Sequence, residues 1–184
     1  MCDLGARNRA PARARRLGVL ALVLCGVGSQ WPTASWAREW SASAQPLSCT
    51  LLRVLDGDSL ELRCNDQTLE VRLHCIDAPE WGQTPWGKRS LRHLEAITPR
   101  RVELEGLETD RFGRTVGEVY GTGPGRPLLN LEQVASGQAA VYRHYCEDPR
   151  FDRAEQAARK AGLGIWSRPG EQQTPWEFRH RNER

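Results

Sequence analysis

The stretch Arg53–Glu80, RVLDGDSLELRCNDQTLEVRLHCIDAPE, places acidic residues at the bends between alternating apolar ones, and that pattern decides the fold. An apolar run enters Asp56-Gly57-Asp58, a dipeptide turn flanked by alternation, which predicts a hairpin. Alternation resumes through Leu60 and Leu62, turns again at Asn65-Asp66, and continues as Leu69, Val71 and Leu73 before closing at Asp77-Ala78-Pro79-Glu80. Side chains alternate along a strand, so Arg72 and His74 fall on the face opposite Val71 and Leu73. A cation is thereby aimed where the acids also converge. Clustered carboxylates with an inward arginine suggest metal-assisted attack on a phosphate.

Upstream, Arg7, Arg9, Arg13, Arg15 and Arg16 precede an apolar run from Leu17 to Val27, and Ser35-Trp36-Ala37 supplies small residues where a signal peptidase cuts. Residues 1–37 are expected to be a secretory signal peptide and 38–48 a linker. The apolar run is too short to span a bilayer comfortably, so no stable membrane insertion is expected after its removal. The 184-residue chain carries 26 Lys and Arg against 23 Asp and Glu. Taking away residues 1–37 removes five arginines and Asp3, which leaves 21 basic against 22 acidic side chains. Nucleic-acid binding must then rest on a local patch and not on overall charge.

Of the six cysteines, Cys49, Cys64, Cys75 and Cys146 lie outside the expected signal. An even number in an exported chain favours disulfides, with three connectivities open. There is no C-x-x-C pair, which argues against zinc.

Downstream of the acidic segment, Leu91, Leu94 and Ile97 recur at helical spacing up to Pro99, and Val102 and Leu104 alternate with Glu103 and Glu105. Thr115–Tyr120 gives a fifth strand. Leu128 to Ala135 predicts a second helix, stopped by Gly137, and Asp148-Pro149 opens a third that ends at Gly162. The expected fold class is α+β: an OB-type five-stranded β-barrel with about three helices, spanning residues 49–168. Residues 169–184 are polar and charged and are expected to form a mobile tail.

Three short motifs in order carry a family resemblance: D-G-D-S at Asp56–Ser59, R-L-H-C-I-D-A-P-E at Arg72–Glu80, and T-D-R-F-G-R at Thr109–Arg114, with a late G-I-W at Gly164–Trp166. The region from about Cys49 to Trp166 resembles the staphylococcal nuclease (thermonuclease-like) family. The resemblance implies an exported, calcium-dependent endonuclease that hydrolyses DNA and RNA with low sequence specificity and leaves 3′-phosphate ends. Asp58, Asp77 and the Ala78 carbonyl are the implied calcium ligands, a donor set that suits a hard cation. Glu80 is the implied general base, Arg72 and Arg114 are phosphate clamps, and Tyr145 is a base-stacking residue. Taken singly, an aspartate in a D-G turn is usually a turn residue, and a surface glutamate or arginine is usually solvated or ion-paired. The combination is what points to chemistry. Ala78 stands where the family often has threonine, and Phe112 where it often has tyrosine.

Centring the first hairpin on Asp56-Gly57 sets Cys49 opposite Cys64. Cys75 and Cys146 remain as the second pair, which the family strand order supports. Two other functions compete with the enzyme: a non-catalytic nucleic-acid-binding module, since a fold does not fix a function, and an envelope interaction protein whose tail, with Trp176 and Arg179–Arg184, docks a partner. A secreted or periplasmic monomer is expected.

Overall fold

Two tight bends organise the first three strands, β1 (Leu47–Val54), β2 (Ser59–Cys64) and β3 (Gln67–Leu73). At the first, the Leu55 N–H donates to the Ser59 carbonyl at 2.9 Å, and Asp56 Oδ1 accepts from the Asp58 N–H at 2.9 Å. At the second, Asn65 and Asp66 take positive φ of 47° and 65°, a conformation that short polar side chains tolerate best. The alternation then works as expected: Leu60, Leu62, Val71 and Leu73 all point into a shared apolar core. This computed structural model describes residues 45–182. The expected signal peptide and most of the expected linker lie outside the described residues.

The sheet continues with β5 (Arg101–Thr109) and β6 (Thr115–Gly121) and closes in the order β1-β2-β3-β6-β5. β3 and β6 run parallel, Arg72 opposite Val116, whereas β1 closes antiparallel against β5, Cys49 opposite Val102. A parallel neighbour requires a long crossover, and helix α1 (Trp86–Ile97) with β5 supplies it. α1 buries Leu94 on its apolar stripe and leaves its basic residues outside. Helices α2 (Leu129–Ala135) and α3 (Pro149–Lys160) pack on each other, and Phe151 of α3 completes the barrel core. Asp148 caps α3 by accepting from the Arg150 N–H at 2.8 Å, with Pro149 in the first turn. The architecture is thus the α+β, OB-type five-stranded barrel.

Two elements differ from the sequence expectation. The third strand, expected from the sequence over Leu69–Ile76, stops at Leu73, and Cys75 adopts φ of +70°. The chain then leaves the barrel as a two-residue strand, β4 (Ile76–Asp77), paired with β7 (Ala140–Val141). The polar stretch expected as a mobile tail instead carries a short 3₁₀ turn at Glu171–Gln173 and a fourth helix, α4 (Pro175–Asn182). Gln172 is its hidden anchor, donating to the carbonyls of Ile165 at 3.1 Å and Arg168 at 2.8 Å.

Both cysteine pairs stand at disulfide distance, Cys49 with Cys64 across the first hairpin and Cys75 with Cys146. The second ties the break after β3 to the segment following β7. None of the described helices is long and apolar enough to cross a membrane.

Candidate active site

The loop between β1 and β2 delivers Asp58, the end of β3 delivers Arg72, and β4 delivers Asp77. The loop is held from outside by a buried amide: the Gln133 side chain on α2 donates to the Gly57 carbonyl at 2.6 Å and to Ser90 of α1. Gly57 is packed so tightly that a Cβ there would collide with Ser90 and stand 2.6 Å from the Ala78 Cβ. Only glycine fits, and the fit presses the Asp56–Asp58 turn against the Ala78 segment.

Asp58 and Asp77 are both buried, and a single guanidinium joins them. Arg72 makes an ion pair to Asp58, donates through Nη2 to Asp77 Oδ1 at 2.6 Å, and reaches the Ile76 carbonyl at 3.2 Å. The other Asp58 oxygen accepts from the Ala78 N–H at 2.5 Å. Glu80 sits further out, its N–H donating to the Gln83 side chain at 2.8 Å, with its carboxylate partly open to solvent. Asp58, Arg72, Asp77 and Ala78 are thus assembled in one place, with Glu80 at its edge.

The remaining expected site residues lie differently. Arg114 stands on the rim where β6 begins, one residue before Thr115 pairs with Val71, and its guanidinium is taken by Asp110 at 2.8 Å. The Asp110 side chain also accepts from the N–H groups of Phe112 and Arg114, so the turn is tied together around one carboxylate. Tyr145 is exposed and edge-on to His144, with ring centroids 4.7 Å apart, in an aromatic group that includes Tyr142.

Sequence reasoning missed one contributor. Arg179 of α4 lays its guanidinium across two of the carboxylates, with Nη1 and Nη2 each 3.0 Å from an Asp77 oxygen, and Nη1 2.5 Å from Glu80 Oε1. The available signal was the spacing of Trp176 and Arg179, which places an aromatic and a cation on one helical face behind Pro175. The stretch expected as a mobile tail instead packs α4 against carboxylates of its own chain.

The electrostatics follow from burying like charges together. Burial, reinforced by the Asp58 charge, pushes Asp77 up to about 6 against the opposing pull of Arg72 and Arg179. Burial acts the same way on Asp58, but the Arg72 charge and the Ala78 N–H outweigh it and hold that carboxyl below its usual range. Asp56, partly buried and facing Asp58, is carried by burial and then by that charge to about 7. Such a cluster favours additional positive charge. Among the described residues no three His, Cys, Asp or Glu side chains form a ready metal cage. Two carboxylates and a backbone carbonyl nevertheless suit a hard divalent cation that keeps several waters, so the donor chemistry fits.

A closed OB-type barrel here carries buried carboxylates and an arginine at one edge, and comparison with known proteins says to which class it belongs. A family model described as Staphylococcal nuclease homologue matches residues 70–168. The chain is 40% identical over 138 residues to a micrococcal nuclease of Shigella flexneri, covering 70% of this chain and 78% of the relative. It is 32% identical over 143 residues to an uncharacterized endonuclease of Escherichia coli O157:H7, covering 77% and 91%. Protein ParB of Escherichia coli is 36% identical over 138 residues, with 70% and 77% covered. The chain belongs to the staphylococcal nuclease family, and it is a hydrolase of the nuclease type.

Proposed function

We propose that the protein is an exported, calcium-dependent endonuclease that cleaves DNA and RNA with little sequence preference and leaves 3′-phosphate ends. The observation that carries this reading is the convergence of Asp58 and Asp77 on Arg72, with Glu80 beside Asp77 at the solvent edge. Asp58, Asp77 and the Ala78 carbonyl would hold calcium, whose positive charge polarises a phosphate oxygen. Glu80, open to solvent, takes the proton of the attacking water. Arg72 presents its guanidinium to the phosphate and remains charged as negative charge builds in the transition state. Arg114 is the second phosphate contact, released from Asp110 when a substrate oxygen offers a competing acceptor, and Tyr145 gives a base a stacking face.

Export is supported by the arginine-flanked apolar segment of the sequence and by two cysteine pairs at disulfide distance, which persist in an oxidising compartment. The test is direct. Purified protein is incubated with plasmid and with single-stranded RNA, in calcium and in chelator, and the ends are analysed. Cleavage of both in calcium, none in chelator, and 3′-phosphate termini are expected. Cleavage unaffected by chelator, or 5′-phosphate termini, overturns the reading.

A further inference from the structure

We propose that α4 is a displaceable cap on the active site and that Arg179 is its resident cation, competing with the divalent cation for Asp77 and Glu80. The inference rests on the calcium reading above and adds a control element to it. A carboxylate offers about four lone-pair positions. On Asp77, Arg72 takes one, and the two nitrogens of Arg179 take one on each oxygen. Arg179 also holds the Glu80 oxygen. Three of the four positions on Asp77 are thus taken, and a metal ion that approaches the fourth is repelled by two guanidiniums already sharing this buried carboxylate, so its entry favours the departure of one of them. Arg72 belongs to β3 and is held by Asp58 and the Ile76 carbonyl as well. Arg179 is therefore the one that yields.

The same helix covers a second feature. Trp176 stacks on Tyr142, with ring centroids 5.5 Å apart and planes inclined by 26°. The Tyr142 N–H donates to the Cys75 carbonyl at 2.9 Å, so this ring stands beside the strand that carries Asp77. The Gln83 side chain, whose oxygen accepts from the Glu80 N–H, donates to the Glu171 carbonyl at 2.8 Å and ties the cap to the loop bearing Glu80. With α4 in place, both Asp77 oxygens, one Glu80 oxygen and the stacked face of Tyr142 are occupied.

The attachment is light. α4 is eight residues long and buries only Pro175. A helix of that length does not persist on its own in water, so its hold depends on the ion pairs, the Trp176–Tyr142 stack, the partial packing of Trp176 against the Trp86, Ala158, Ile165 and Trp166 cluster, and the Phe178 ring near Gly82. Local opening of such a segment costs far less than unfolding the barrel. Calcium and substrate together replace two of the interactions that α4 makes, the cation at Asp77 and a base or sugar at the Tyr142 face.

The test uses the full chain without nucleic acid. Calcium affinity is measured by titration calorimetry for the wild type, Arg179→Gln, Arg179→Lys and Trp176→Ala, and amide exchange of residues 175–182 is followed with and without calcium. Arg179→Gln is expected to bind calcium at least about fivefold more tightly, the low end of coupling between linked sites, with Arg179→Lys between it and the wild type. Trp176→Ala keeps the cation but loosens its carrier, so a smaller gain is expected. Saturating calcium should remove exchange protection from α4 in the wild type. Equal or weaker calcium binding by Arg179→Gln, or protection of α4 unchanged by calcium, overturns the cap while leaving the calcium reading intact. Calcium binding by none of the four proteins overturns both.

Discussion

Arg72 and Asp77 are five positions apart, yet their side chains meet at 2.6 Å because the chain changes phase at Cys75, whose φ is +70°. Had β3 continued unbroken, residues 72 and 77 would project from opposite faces. The break is therefore what assembles the site. Its consequence is that Arg72 cannot be replaced by another cation: Arg72→Lys keeps the charge but offers a point donor where the fork reaches both Asp58 and Asp77. Turnover is expected to fall on the order of 10²-fold, as when one preorganised donor is lost. Stability should drop by about 1–3 kcal/mol from the carboxylate left without its partner. Steady-state kinetics and chemical denaturation check the two effects separately, and a variant with wild-type turnover would remove Arg72 from the reaction.

Glu80→Gln keeps size and hydrogen-bonding capacity but no longer accepts a proton. Turnover is expected to fall by about 10²–10⁴, with nucleic-acid affinity retained. Single-turnover cleavage alongside equilibrium binding of a short DNA reads both quantities. Wild-type turnover would remove Glu80 from the chemistry.

Asp56 sets a pH dependence. Its carboxyl titrates near 7 in the folded chain because of burial and the neighbouring Asp58, well above the unfolded value of about 3.9. The native state then binds the proton more tightly, so the stability it contributes is present below about pH 4 and is lost as pH rises toward 7. In chelator, wild-type stability should decline across that window. Asp56→Asn keeps an acceptor for the Asp58 N–H and carries no charge. It should gain on the order of 1–3 kcal/mol at pH 8 and nothing near pH 4, a discount from the full shift because the carboxylate is only partly buried. Parallel denaturation curves with equal differences at both pH values would contradict this.

The Cys75–Cys146 pair spans 71 residues, and closing a loop of that length stabilises by about 4 kcal/mol on the chain-entropy view. The Cys49–Cys64 pair spans 15, worth about 3 kcal/mol. Cys75→Ser with Cys146→Ser should therefore lower the thermal midpoint more than the corresponding change at positions 49 and 64. Reductant should lower the wild-type midpoint below that of either double variant. Scanning calorimetry of the three proteins decides the order.

The sequence made the barrel legible because the alternation of β2 and β3 was clean: Leu60, Leu62, Val71 and Leu73 all fell where a period of two puts them, and all are buried. The Asn65-Asp66 turn and the Asp148-Pro149 helix start were equally local, which is why they could be read without tertiary information. The break at Cys75 was not legible, since nothing in R-L-H-C-I-D marks a positive φ at a cysteine; pairing with β7 and the link to Cys146 impose it from far along the chain. Arg179 was hidden for a related reason. A polar stretch with a single buried residue in its helix has almost no hydrophobic pattern to read, and its placement is decided by carboxylates 99 and 102 positions away.

The closure of the barrel, β1 against β5 and β3 against β6, has a further effect on how the molecule behaves in a crowded solution. An open sheet ends in strands whose free N–H and C=O groups can template the backbone of another molecule, the route to aggregates and fibrils. Here the five long strands spend those groups on one another around a ring. Among the described residues, the strands that lie outside the ring, β4 and β7, are two residues long each. Such stubs are too short to nucleate intermolecular sheet growth.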